Sequence, residues 1–70
     1  MSDYYEGSSE EAEEGINKLE DALNRAANKY FERYPEKKGG DPVTFTVIEL
    51  QVMATHNPIH GYRVVLRPQG

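Results

Sequence analysis

The side chains best suited to chemistry are two histidines four positions apart, His56 and His60. On one helix, imidazoles at that spacing share a face and hold a divalent cation with further ligands. Here they flank Asn57-Pro58-Ile59 and precede Gly61, a turn composition that does not bring both rings to one side. No HExxH pattern and no clustered carboxylates accompany them, so they read as exposed turn histidines and no metal site is expected. Glu49 is the second candidate. A carboxylate inside the apolar run Val47-Ile48-Glu49-Leu50 has to be exposed, paired or functional. Arg63 or Arg67, one strand further on, is a suitable partner. Glu49 and Arg67 are therefore expected in a structural ion pair or at an interface. Tyr30, Phe31 and Tyr34 offer stacking surfaces, but their helical spacing suits a core or an interface. Gly39-Gly40 precede a strand instead of following one, so no phosphate loop is indicated. With no Ser/His/Asp or Cys/His arrangement either, no catalytic residue is assigned and an enzyme is not expected.

The elements that must position these groups are few. Seventy residues make one domain close to the lower limit for independent folding. Disulfides and thiolate metal sites are excluded by the lack of cysteine. Oligomerisation is the remaining source of extra stability. A net charge of −4 argues against sequence-independent nucleic-acid binding, which needs a basic face. The apolar runs are too short for a membrane span and no signal-like segment opens the chain, so a cytoplasmic protein with neither nucleic-acid nor membrane partner is expected.

Residues 1–7 read as a tail or a short edge strand around Tyr4-Tyr5. Ser8 and Glu11 form a capping-box pattern at the head of a long helix spanning residues 8–35 and ended by Pro35. Its stripe is Ala12, Ile16, Leu19, Leu23, Ala26, Ala27, Tyr30 and Tyr34. Asp21–Arg25 and Glu14–Lys18 are favourable i,i+4 pairs, and acidic residues lead while basic ones trail, as the helix dipole prefers. Gly15, Ala22 and Ala26 are small residues along one edge that would admit another backbone closely. Residues 36–42 form a linker and residues 43–67 a β-hairpin. The apolar residues of its first strand change side near Val47-Ile48, which suits a bulge. Ile48, Leu50, Val52 or their opposites are left without cover by one helix. The expected fold class is α+β: one long amphipathic helix on an antiparallel hairpin or three-stranded sheet, αββ or βαββ.

Several fragments, in order, resemble the dodecins, small βαββ proteins that form hollow dodecamers and bind flavins. Gly7-Ser8-Ser9 stands where that family has a Gly-Thr/Ser-Ser turn. Ala22-Leu23-Asn24-Arg25-Ala26-Ala27 is similar to its helical A-I-x-R-A-S/A stretch. Phe45-Thr46-Val47-Ile48-Glu49 and Tyr62-Arg63-Val64-Val65-Leu66 resemble its F-E-V-V-E and Y-Q-V-x-L strands. The segment before Gly7 is shorter than the family's first strand, and the helix-to-strand connection is longer. Thr44 replaces the tryptophan that stacks on flavin, and Arg63 the flavin-contacting glutamine. The resemblance implies a self-assembling homo-oligomer that binds or stores a small aromatic or anionic ligand, with Thr44, Gln51 and Arg63 as ligand-binding positions. Flavin itself is disfavoured as the cofactor. The alternative is a non-enzymatic protein–protein interaction module using an exposed sheet edge or helix face.

Overall fold

Strand, helix, strand, strand is the order of elements in the computed structural model, which describes residues 3–9, 17–55 and 59–69. Strand β1 is Tyr5–Ser8, helix α1 is Lys18–Arg33, and strands β2 and β3 are Phe45–Ala54 and Ile59–Pro68. A single 3₁₀ turn, Pro35–Lys37, follows the helix. The sheet is antiparallel in the order β1-β3-β2. The α+β class expected from the sequence is thus observed, in its three-stranded form.

The helix begins later than its polar pattern suggests. Ser8 belongs to β1, opposite Arg63, and the described helix starts at Lys18. The next residue, Ser9, is fully buried; its N–H donates to the Tyr62 carbonyl at 3.0 Å, and its hydroxyl accepts from the Tyr62 N–H at 3.2 Å. Ser8 and Ser9 are thus both held against β3. The observed N-cap is Asn17, whose side-chain oxygen accepts from the Glu20 N–H at 3.1 Å. Glu20 and Asp21 fill the first turn, and Asp21 meets Arg25 at 2.9 Å, the i,i+4 pair expected. Tyr34, pushed out of helical geometry by Pro35, is the C-cap. The helix is therefore Lys18–Arg33, shorter than residues 8–35. Ala12, Gly15, Ile16 and the Glu14–Lys18 pair involve positions outside the described residues.

Ala22, Ala26 and Tyr30 form the buried face of α1, with Leu19, Leu23 and Ala27 half-buried beside them. They pack on Val64 and Leu66 of β3 and on β1. The close approach expected of Ala22 and Ala26 is made by the chain's own β1. A methyl on Gly7 would overlap the Ala22 carbonyl oxygen and the Ala26 nitrogen. At the other end of the helix, Tyr30 is the hub of an aromatic cluster. Its ring lies 5.4 Å from Tyr5 and 5.3 Å from Phe45, both edge to face, and 5.0 Å from Tyr34.

Strand β2 pairs Val47 with Leu66 but Glu49 with Val65, so Ile48 is an extra residue, a bulge where the sequence pattern changes side. Its effect is to gather the apolar residues. Phe45 and Val47 before the bulge, and Leu50 and Val52 after it, lie opposite Pro68, Leu66, Val64 and Tyr62, the face carrying the helix. Thr46, Glu49 and Gln51 share the far face with Arg67, Val65 and Arg63. The helix packs over β1 and β3 and meets β2 only at its first residue, Phe45. Val47, Leu50 and Val52 therefore remain 48–52% exposed on the side meant for a core.

Candidate functional site

The far face of the sheet carries the charged residues of interest, and the register decides which of them meet. Arg63 is central on β3, opposite Ser8 of β1 on one side and Gln51 of β2 on the other. Its Nη2 lies 2.7 Å from Glu6 Oε2, and its Nη1 donates to Gln51 Oε1 at 3.4 Å. Glu6, Arg63 and Gln51 thus form a row across all three strands. The Arg63 hydrogen bond is the main reason the Glu6 carboxyl is held below its ordinary value of 4.5; the Arg63 and Lys29 charges add to it, against partial dehydration.

Of the three positions suspected of binding a ligand, Gln51 and Arg63 are brought together and Thr44 is not. Thr44 precedes β2, seven residues from Gln51, or roughly 20 Å along an extended chain. There it borders an open cleft of about 610 Å³ with Tyr30, Lys37, Asp41 and Gln69. The cleft mixes both charge signs and holds no nucleophile–base pair.

Glu49 lies opposite Val65, is exposed, and makes no ion pair among the described residues. Arg67 faces Thr46 and also stays exposed. The ion pair of this face joins Arg63 to Glu6 instead, a partner that the sequence reading did not consider. It becomes visible only once β1 is placed beside β3 in register.

His60 Nε2 is 3.0 Å from the Thr55 hydroxyl, and the His60 carbonyl accepts from Lys18 Nζ at 3.1 Å. His56 lies outside the described residues. Among those described, no group of three histidine, cysteine or carboxylate side chains is placed to hold a metal ion, and no helix is long and apolar enough to cross a membrane. The Tyr30 cluster is internal packing, tied to β1 by a 3.3 Å hydrogen bond from Arg33 to the Tyr5 hydroxyl. That bond, with the Tyr34 and Tyr5 hydroxyls and the Asp3 carboxylate nearby, raises the Arg33 pKa further.

Two surfaces result: a polar far face organised by Arg63, and an apolar strip along β2 that the helix does not reach. The strip is the larger departure from what water favours. No protein-family model, curated protein sequence or solved structure matches the chain.

Proposed function

We infer that the chain is a dodecin-like self-assembling protein, whose copies cover one another along β2 and enclose a small aromatic or anionic ligand. One observation carries this reading. Val47, Leu50 and Val52 lie on the helix side of the sheet yet are half-exposed, because α1 sits over β1 and β3. A chain of 70 residues has little core to spare, so leaving three large aliphatic side chains wet forgoes a sizeable part of its stability. Association recovers it. The exposed Ile48 and Ile59 extend the apolar surface.

On the far face of the same strands, Arg63 and Gln51 are the polar groups proposed to contact the ligand, Arg63 an anionic group and Gln51 a ring edge. Thr44 offers no ring for stacking, which disfavours flavin. Size-exclusion chromatography with light scattering is the test: a multiple of the chain mass is expected, reduced by Leu50→Lys. A monomer at high micromolar concentration overturns the reading. Riboflavin or FMN fluorescence that the protein fails to quench removes the flavin version alone.

A second reading rests on the open edge of β2: an interaction module that adds a strand of a different protein. It predicts a lone chain in solution and a partner retained by it.

A further inference from the structure

Strand β2 is ten residues long and, among the described residues, pairs only with β3, leaving its outer edge open. Native edges are usually blunted by lysine, proline or an inward-pointing charge. Between Phe45 and Ala54 there is no lysine or proline, and the one charge, Glu49, points to the far face. What interrupts it is the bulge at Ile48 and a second register shift between Met53 and Ala54, at its end.

Resting on the self-assembly reading, we propose that the occupant of this edge is β2 of a second copy, paired antiparallel about a two-fold axis through Leu50. Side-chain direction limits the choices. Residues directly opposite in an antiparallel pair point to the same face. With both helices on one side, the axis must therefore pass through a residue and not between two. An axis at Glu49 sets two carboxylates against each other. An axis at Gln51 sets Glu49 against the thioether of Met53. An axis at Leu50 sets Glu49 of each copy against Gln51 of the other, Leu50 against Leu50, and Ile48 against Val52.

The side chains are already arranged for that register. The oxygen of Gln51 is turned toward Arg63, 3.4 Å from its Nη1, so the Gln51 amide N–H groups are directed away from that arginine. Glu49 has no ion pair or side-chain hydrogen bond among the described residues. Across the axis, Glu49 of the second copy accepts from Gln51, and the Glu6–Arg63–Gln51 row continues into its carboxylate. On the helix side the same pairing sets the exposed Leu50 and Val52 of both copies into one apolar floor between two helices.

The absence of cysteine makes the test direct. Opposed antiparallel residues have Cα atoms about 4.5–5.5 Å apart, within disulfide range. Leu50→Cys is expected to oxidise to a covalent dimer in high yield. Thr46→Cys, eight positions from its symmetry mate, is expected not to. Mixed Glu49→Cys and Gln51→Cys chains are expected to form mainly the mixed dimer, which also serves if Leu50→Cys fails to fold. Gln51→Glu is expected to weaken association about tenfold by opposing two carboxylates twice, whereas Gln51→Lys preserves it. Assembly by light scattering without the Leu50 cross-link and without the mixed dimer overturns this register and leaves self-assembly standing. A monomer overturns both, as does a β2 edge occupied only by a different protein.

Discussion

Gly7 of β1 lies so close under Ala22 of α1 that its missing side chain is part of the packing. A Cβ there would run into the Ala22 carbonyl oxygen and the Ala26 nitrogen, both backbone atoms held in the helix. Neither can give way as the tip of a side chain would. Gly7→Ala is therefore expected to destabilise the fold by about 1–3 kcal/mol, the usual range for overpacking, read as a lower urea midpoint. Gly39→Ala separates this steric effect from a conformational one. Gly39 has open space around it but a φ of 77°, so its cost is backbone strain of about 1–2 kcal/mol. Equal stability of Gly7→Ala and the parent would refute the close approach.

Two serine and asparagine positions compete for the helix start, and substitution distinguishes them. Asn17→Ala removes the observed cap and is expected to cost about 1 kcal/mol. Ser8→Ala removes no cap and is expected to fall within about 0.5 kcal/mol of the parent. Thermal melts followed by circular dichroism give both values, and the reverse ranking would place the cap at Ser8.

The Glu6–Arg63 pair has a defined pH signature. The Glu6 pKa is lowered in the folded chain, chiefly by the hydrogen bond from Arg63. The folded state thus favours the ionised form. The stabilisation is fully present above the ordinary value of 4.5 and is lost as pH falls through the folded pKa below it. Both side chains are near half-exposed, so the effect is small. The melting temperatures of the parent and Glu6→Gln should differ at pH 7 and converge as the pH falls through the lowered pKa of Glu6. A constant difference would mean that the charge of Glu6 is not what matters.

Tyr30 is the residue whose loss should matter most. Its ring meets Tyr5, Phe31, Tyr34 and Phe45, joining β1, the helix and the start of β2. Truncation of a large aromatic core residue costs about 3–5 kcal/mol, comparable with the whole net stability of a chain this size. Tyr30→Ala is expected to be largely unfolded at 25 °C, while Tyr30→Phe keeps the cluster. Amide exchange or near-ultraviolet circular dichroism reports it.

What was legible in the sequence was what depends on neighbours along the chain. The change of side at Val47-Ile48 showed where the bulge lies, and the Asp21–Arg25 pair followed from helical spacing. The start of the helix was not legible. Ser8-x-x-Glu11 and Asn17-x-x-Glu20 are equivalent as local patterns, and the choice is made by β1 pairing with β3, which takes Ser8 and Ser9 into the sheet. The partner of Arg63 was hidden for the same reason. Glu6 is 57 residues away, and only the register of two distant strands brings it within reach. Thr44, Gln51 and Arg63 were grouped by family resemblance, and the strand's own length separates Thr44 from the other two.

Ile48 also fixes how β2 tolerates changes in length. Without it the strand reads Phe-Thr-Val-Glu-Leu-Gln-Val-Met-Ala, a strict alternation of inward apolar and outward residues up to Met53. The bulge is a surplus letter that the backbone absorbs without upsetting the count. Elsewhere between Glu49 and Val52, adding or removing one residue changes parity and exchanges the two faces, turning a carboxylate or an amide toward the helix side. Single-residue drift in this strand is thus confined to one point, while paired insertions keep its sidedness.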